Sequence, residues 1–267
     1  MKILVPIDFS KNSIQALELA LGLNRNQKST IILVHIVELV YDFASQAAIA
    51  IDSMYKDSKK LLDDLEKKYA SENINFIKII EEGTASISIA RISKQNEASL
   101  IVIGTAGAGG IRKLVMGSTT INLLKEAETP VLVVPADADS TQMRKLTMAI
   151  QYSNHEKSLF SQIILIQRHW DLELDFLHIS EEDNFKDELA GKGLQEFLKE
   201  HFEIDSTVIT NLVSGSTIEG INSYFEKNNE NIIVMCHEHK SLWKHFIESS
   251  HSLAMAYQSK LPILVMN

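Results

Sequence analysis

Cysteine is all but missing from this chain: Cys236 is the one thiol in 267 residues. A single thiol cannot close a disulfide within the chain, so a packed core has to supply the stability, and a reducing cytoplasm is the expected compartment. Long apolar runs are missing too. No uninterrupted hydrophobic segment reaches the roughly 18 to 20 residues that span a bilayer, and Asp8 stops the opening apolar run too early for a signal peptide. Positive charge is in deficit: 26 Lys and Arg against 35 Asp and Glu leave a net charge of −9. That balance argues against a general affinity for nucleic acid or for an anionic membrane surface. Two widespread phosphate-binding patterns are also absent. No Gly-Lys-Ser/Thr follows the glycines, and no Gly-x-Gly-x-x-Gly joins a strand to a helix with an acidic residue about 20 positions on.

What is present is 45% hydrophobic content, enough for a substantial core in one large or two ordinary domains. Short β-branched runs at residues 2–7, 29–37, 74–80, 100–103 and 131–134 read as strands. Between them lie helical patterns. Ser10 is placed to cap a helix carrying Ile14, Leu17, Leu21 and Leu23, residues 44–71 show a stripe of Leu61, Leu62, Leu65 and Tyr69, and residues 86–96 and 121–127 follow. Strands alternating with helices imply parallel pairing and right-handed crossovers, hence a doubly wound α/β domain over residues 1–136.

The second half repeats the first. Residues 5–10 match 148–153 and Val34-His35-Ile36 matches Leu177-His178-Ile179, both at an offset of 143. Further on, Gly83 matches Gly215, residues 101–103 match 233–235, Ser118 matches Ser250 and Pro130 matches Pro262, all at an offset of 132. The difference between 143 and 132 leaves 11 residues missing from the second copy between His178 and Gly215, beside its second helix. A second domain of the same fold is expected over residues 145–267, joined by a polar linker at 137–144.

The chemistry gathers behind the fourth strand. Gly104, Gly107, Gly109, Gly110 and Gly117 lead into Ser118, Thr119 and Thr120 at the start of a helix. The first N–H groups of a helix have no partners inside it, its dipole favours negative charge there, and glycine lets a phosphate approach the backbone. The loop therefore reads as a phosphate cradle, with a plain glycine loop as the alternative. Gly104, two residues, Gly107, nine residues, Gly117 and Ser118 together resemble the G-x2-G-x9-G-[ST] signature of the ATP-binding branch of the universal stress protein family.

That resemblance implies two tandem doubly wound parallel-sheet domains of the adenine nucleotide alpha hydrolase-like fold, each with strand order 3-2-1-4-5. It implies that Asp8, at the end of the first strand with Pro6 and Ile7, accepts hydrogen bonds from a ribose hydroxyl. By residue type alone Asp8 suits a helix cap or turn better, and its position opposite the glycine loop reverses that preference. Ile36 matches a position whose backbone contacts adenine, and Ile103 and Gly104 would border the ribose. Gly107 and Gly117 would let backbone approach the phosphates, and Ser118 and Thr119 would donate to them. Arg112 and Lys113 could screen the phosphates or be an exposed basic pair. The implied ligand is ATP, or ADP or AMP, with magnesium or manganese accompanying a triphosphate. Family members commonly dimerise through the fifth strand, so pairing of the two domains within one chain is expected, and a further homo-oligomer is open.

The second copy departs from the signature. Gly104, Gly107 and Gly117 become Cys236, His239 and Ser249, and Asp8 becomes Gln151. Side chains at the glycine positions would crowd a phosphate, so one nucleotide site per chain is expected. Cys236, His237, Glu238 and His239, with His245 and His251 beyond, offer zinc-type ligands in no standard spacing; the alternative is a loop that drifted after losing its ligand. His35 and His178 lie within apolar strands and read as satisfied core histidines. A regulatory protein binding ATP under stress is the leading function. A slow ATPase and a ligand-free interaction scaffold are the alternatives, since no residue identifies a positioned water or a cation for phosphoryl transfer.

Overall fold

A computed structural model of the chain describes residues 1–24, 27–38, 47–105, 116–236 and 261–267. It divides into two compact units, Met1–Ala136 and Asp137–Asn267. The first contains β1 (Lys2–Pro6), α1 (Lys11–Leu23), β2 (Ser29–Val37), α2 (Ala47–Tyr69), β3 (Ile74–Glu82), α3 (Ala85–Gln95), β4 (Leu100–Gly104), α4 (Ser118–Glu126) and β5 (Val131–Val134). All neighbouring strands pair in parallel, in the order 3-2-1-4-5. Right-handed crossovers send α1 and α2 to one face of this sheet and α3 and α4 to the other. In agreement, α3 packs along α4.

The near-continuous apolar runs of β1, β4 and β5 follow from this topology. A parallel sheet covered on both faces buries alternate side chains equally, so Ile3, Leu4, Val5, Ile101, Val102, Leu132 and Val133 are all out of solvent. Each such residue contributes roughly 1.5–3 kcal/mol relative to exposure. β3 runs past the expected residue 80 to Glu82, because Glu81 and Glu82 keep their register opposite Ile36 and Val37. Backbone pairing continues there whatever the side chains.

The second unit contains β6 (Lys145–Ile150), α5 (Asn154–Trp170), β7 (Glu173–Ser180), α6 (Phe185–Phe202), β8 (Ile209–Val213), α7 (Thr217–Lys227), β9 (Asn231–Cys236) and β10 (Ile263–Met266). Its strands pair in the order 8-7-6-9-10, the same winding as the first. The shortening expected beside the second helix falls on the link after β7 and on α6, which has 18 residues where α2 has 23. Residues 137–144, expected as a linker, group with the second unit. Asp139 Oδ1 accepts from the Thr141 N–H and hydroxyl at 2.8 Å, and Arg144 already exchanges backbone bonds with Glu230 and Glu173 at 2.9 Å. No helix among the described residues is long and apolar enough to cross a membrane.

Candidate functional site

The sheet of the first unit reverses its winding between β1 and β4, where an open α/β sheet forms a crevice at the carboxyl ends of its strands. The parallel register, with Leu4 opposite Ile101, delivers both strands to one edge. There β1 ends at Pro6 and passes to buried Ile7 and exposed Asp8. The turn is pinned from β2. His35 Nδ1 lies 2.7 Å from the Ile7 carbonyl; a carbonyl only accepts, so Nδ1 carries the hydrogen. Phe9 takes a left-handed backbone conformation, φ 61°, and sets its ring 4.8 Å from that of His35. Asp8 Oδ1 accepts from the Ser10 N–H at 3.0 Å, and Ser10 Oγ caps α1 by accepting from the Ser13 N–H. A carboxylate is thereby held at the mouth of the crevice.

Across the reversal, β4 ends at Gly104 and buried Thr105. The Gly117 N–H donates to the Thr105 carbonyl at 2.7 Å, and Thr120 Oγ1 donates to the Gly104 carbonyl at 3.0 Å. These two bonds fasten the start of α4 to the end of β4. Gly117 is the N-cap residue and has no side chain to offer the first turn, so among the described residues no side chain caps the amino end of α4, with Ser118 exposed and Thr119 half-buried, and its positive dipole end suits an anion. The helix begins at Ser118, so the expected Ser/Thr-rich first turn is in place, and it closes on Gly117 through the Ile121 N–H.

Gly104 has a second reason to be glycine. A Cβ there would lie 2.7 Å from the Asn12 carbonyl oxygen, so the first turn of α1 packs directly on it. The structure brings Pro6, Ile7, Asp8, Ile103, Gly104, Gly117, Ser118 and Thr119 to the edge at the β1–β4 reversal. Ile36 is half-buried at the same edge one strand away. Gly107, Arg112 and Lys113 lie outside the described residues.

The family profile described as the universal stress protein family matches residues 1–135. The chain belongs to the universal stress protein family. It is similar to the universal stress protein YxiE of Bacillus subtilis, 27% identical over 144 residues that cover 50% of this chain and 97% of that protein. It is likewise similar to the universal stress protein Sll1654 of Synechocystis, 31% identical over 133 residues, 50% of this chain and 84% of that one. A solved universal stress protein from Archaeoglobus fulgidus matches 99% of this chain and 95% of its own, with a TM-score of 0.73 at 20% identity, a likeness of fold. Membership carries a general role in stress response.

The second unit repeats this turn and changes its polar groups. His178 Nδ1 lies 2.9 Å from the Ile150 carbonyl, Tyr152 has φ 56°, and the two rings are 4.6 Å apart. Gln151 stands where the first unit has Asp8, and Glu156 where it has Ser13. Glu156 is 1% exposed, and its carboxylate accepts from the N–H groups of Gln151 and Ser153 at 2.6 and 2.7 Å. With Ser153 it forms a capping box on α5.

α6 closes over the end of β7. His178 Nε2 lies 3.3 Å from Asp187 Oδ2, Tyr152 donates its hydroxyl hydrogen to Asn211 Oδ1 at 2.6 Å, and Asn211 Nδ2 donates to the Asp187 carbonyl. Burial and then the Asp187 charge push the Tyr152 phenol up to about 12. Cys236 is buried at the end of β9. His237, Glu238, His239, His245, Ser249, Ser250 and His251 lie outside the described residues. Sequence reasoning missed two features here: the aromatic-histidine clasp, although both partners recur at the offset of 143, and Glu156, although Ser153-Asn154-His155-Glu156 has capping-box spacing.

Proposed function

We propose that the first unit binds an adenine nucleotide, ATP with magnesium or manganese, and that occupancy of this one site is the signal the chain passes to partners in the stress response. In this reading Asp8 accepts from a ribose hydroxyl, and Pro6, Ile7, Ile36 and Ile103 border the base and sugar. Gly104, Gly107 and Gly117 admit backbone close to the ligand, and Ser118 and Thr119 donate to the phosphates at the start of α4. The divalent cation offsets phosphate charge that backbone dipoles alone leave unneutralised.

The observation that carries the reading is the side-chain-free cap at Gly117, bonded to Thr105 at 2.7 Å, which aims the amino end of α4 at the edge where Asp8 waits. The residues present suit a phosphate: N–H donors, two hydroxyls and a positive dipole end. The second unit, a degenerate universal stress protein domain in this reading, has Gln151 for Asp8 and Cys236 for Gly104 and contributes no nucleotide site.

The test is Gly117→Glu in the full chain, followed by calorimetric titration with ATP and magnesium. A carboxylate at the cap competes with phosphate for the same donors, so affinity falls about 100-fold or more, with the circular dichroism spectrum and melting point retained. Unchanged affinity in a folded Gly117→Glu chain overturns the assignment.

A further inference from the structure

The two units treat their free sheet edges differently. β3 closes one side of the first sheet and β8 the corresponding side of the second, and an edge strand offers its unpaired backbone groups to any extended chain that meets it. β3 is guarded by charge. It carries Lys78, Glu81 and Glu82, with Lys78 held by Asp63 and Glu66 of α2 and Glu81 by Arg91 of α3. Among the described residues β8 has no such guard. Residues 207–213 read Thr-Val-Ile-Thr-Asn-Leu-Val, with no charge, proline or glycine, and Val208 and Val213 are 54% and 52% exposed.

Which groups of β8 face outward follows from its pairing with β7. The Phe176 N–H donates to the Val208 carbonyl and the Ser214 N–H to the Ser180 carbonyl, both at 2.9 Å, while Phe176 sits opposite Ile209 and Ser180 opposite Val213. Residues 208, 210, 212 and 214 therefore turn their backbone groups to β7, and Ile209, Asn211 and Val213 turn theirs to the free edge. An antiparallel copy related by a two-fold axis normal to the sheet must set side chains of the same face opposite each other, so the two residue numbers share parity. With the axis at Asn211, Asn211 meets its own copy and Ile209 meets Val213. Every outward N–H and C=O of the three residues then has a partner. The Asn211 side chain stays with Tyr152 and Asp187, leaving its backbone to pair.

The same operation on β3 fails. The Ser29 N–H donates to the Asn73 carbonyl, with Ser29 opposite Ile74, so the outward residues there are even-numbered and the central axis sets Lys78 against Lys78, an unfavourable like-charge pair.

We propose that β8 is a self-association edge, through which two copies of this chain pair antiparallel about Asn211 and join the sheets of their second units. A second copy is the occupant that the register selects: the edge is complementary to itself, uncharged, and covers its exposed valine with Ile209 of the other copy. A five-residue edge gives a small, reversible interface.

Sedimentation velocity on the full chain between about 1 and 300 μM is the test, chosen to reach the weak end of specific association. A concentration-dependent dimer is expected. Val213→Pro removes an outward N–H at a position where an edge strand tolerates proline, and Val213→Lys puts a charge against Ile209. Each weakens dimerisation at least tenfold while the melting curve is retained, and Val213→Lys serves if the proline variant unfolds. Asn211→Cys reads the register: residues directly opposite in a hydrogen-bonded antiparallel pair sit about 5.5 Å apart at Cα, with Cβ atoms wider than a relaxed disulfide allows, so a short bis-maleimide links two chains through residue 211 while buried Cys236 stays out of reach. A chain that is monomeric throughout the range overturns the proposal. So does a dimer indifferent to both Val213 variants, or one that yields no crosslink at 211.

Discussion

The turns after β1 and β6 share a backbone and differ in where they keep a carboxylate. Both are pinned by a histidine bound to the preceding carbonyl and by an aromatic residue in a left-handed conformation. In the first unit the acceptor serving the turn is Asp8, exposed at the crevice mouth. In the second it is Glu156, buried beneath the turn and bonded to two of its N–H groups, with neutral Gln151 left at the mouth. Either arrangement gives N–H groups of the turn a carboxylate acceptor. Only the first leaves a charge where a ligand could meet it. The comparison teaches that the clasp belongs to the fold, and that the polar residue at the mouth is what can be exchanged without touching it.

Three measurements sharpen or break that comparison. The largest effect is expected from Glu156→Ala, which removes the charged acceptor of two N–H groups in a part-buried turn and lowers stability by about 2–4 kcal/mol. Ser13→Ala at the matching position loses one hydroxyl bond to the Ser10 carbonyl, 3.0 Å long, and about 0.5–1.5 kcal/mol. Urea unfolding reads both, and equal losses would mean that Glu156 is no structural replacement. Next comes affinity. Asp8→Ala removes a charged acceptor and weakens nucleotide binding by roughly 1.5–3 kcal/mol, whereas Gln151→Ala leaves the titration unchanged; a reversed pattern would move the site to the second unit.

The smallest effect concerns Tyr152. Its phenol stays neutral in the fold up to about pH 12, against about 10 in an unfolded chain. The folded form therefore holds a proton that the unfolded form releases between those values, and stability falls as pH rises through that window. Tyr152→Phe removes this slope and, from an absorbance titration, one phenol ionising near pH 12. It also loses the hydrogen bond to Asn211, about 1 kcal/mol.

The winding of the fold was legible because apolar runs of four to nine residues alternated with helical stripes, and the repeat at 143 and 132 marked two copies. Element ends were less so. β3 runs two residues past the expected 80 because Glu81 and Glu82 keep their pairing with β2, a contact made across the chain. At the site, the sequence singled out Asp8 and the glycines by type and spacing. The packing demand on Gly104 was invisible, since it comes from the Asn12 carbonyl of another element. For that reason Gly104→Ala damages α1 packing and makes a poor probe of the ligand, and Gly117 is the cleaner position to change. Glu156 was readable from its capping-box spacing; what no local pattern conveys is that its carboxylate takes both N–H groups of the turn.

The most direct test of the account is the stoichiometry of nucleotide binding by the full chain, measured by calorimetry with ATP and magnesium on nucleotide-stripped protein, with nucleotide integrity followed by chromatography. The account predicts saturation at about one ATP per chain and intact ATP afterwards. Two sites per chain, or none, would contradict it.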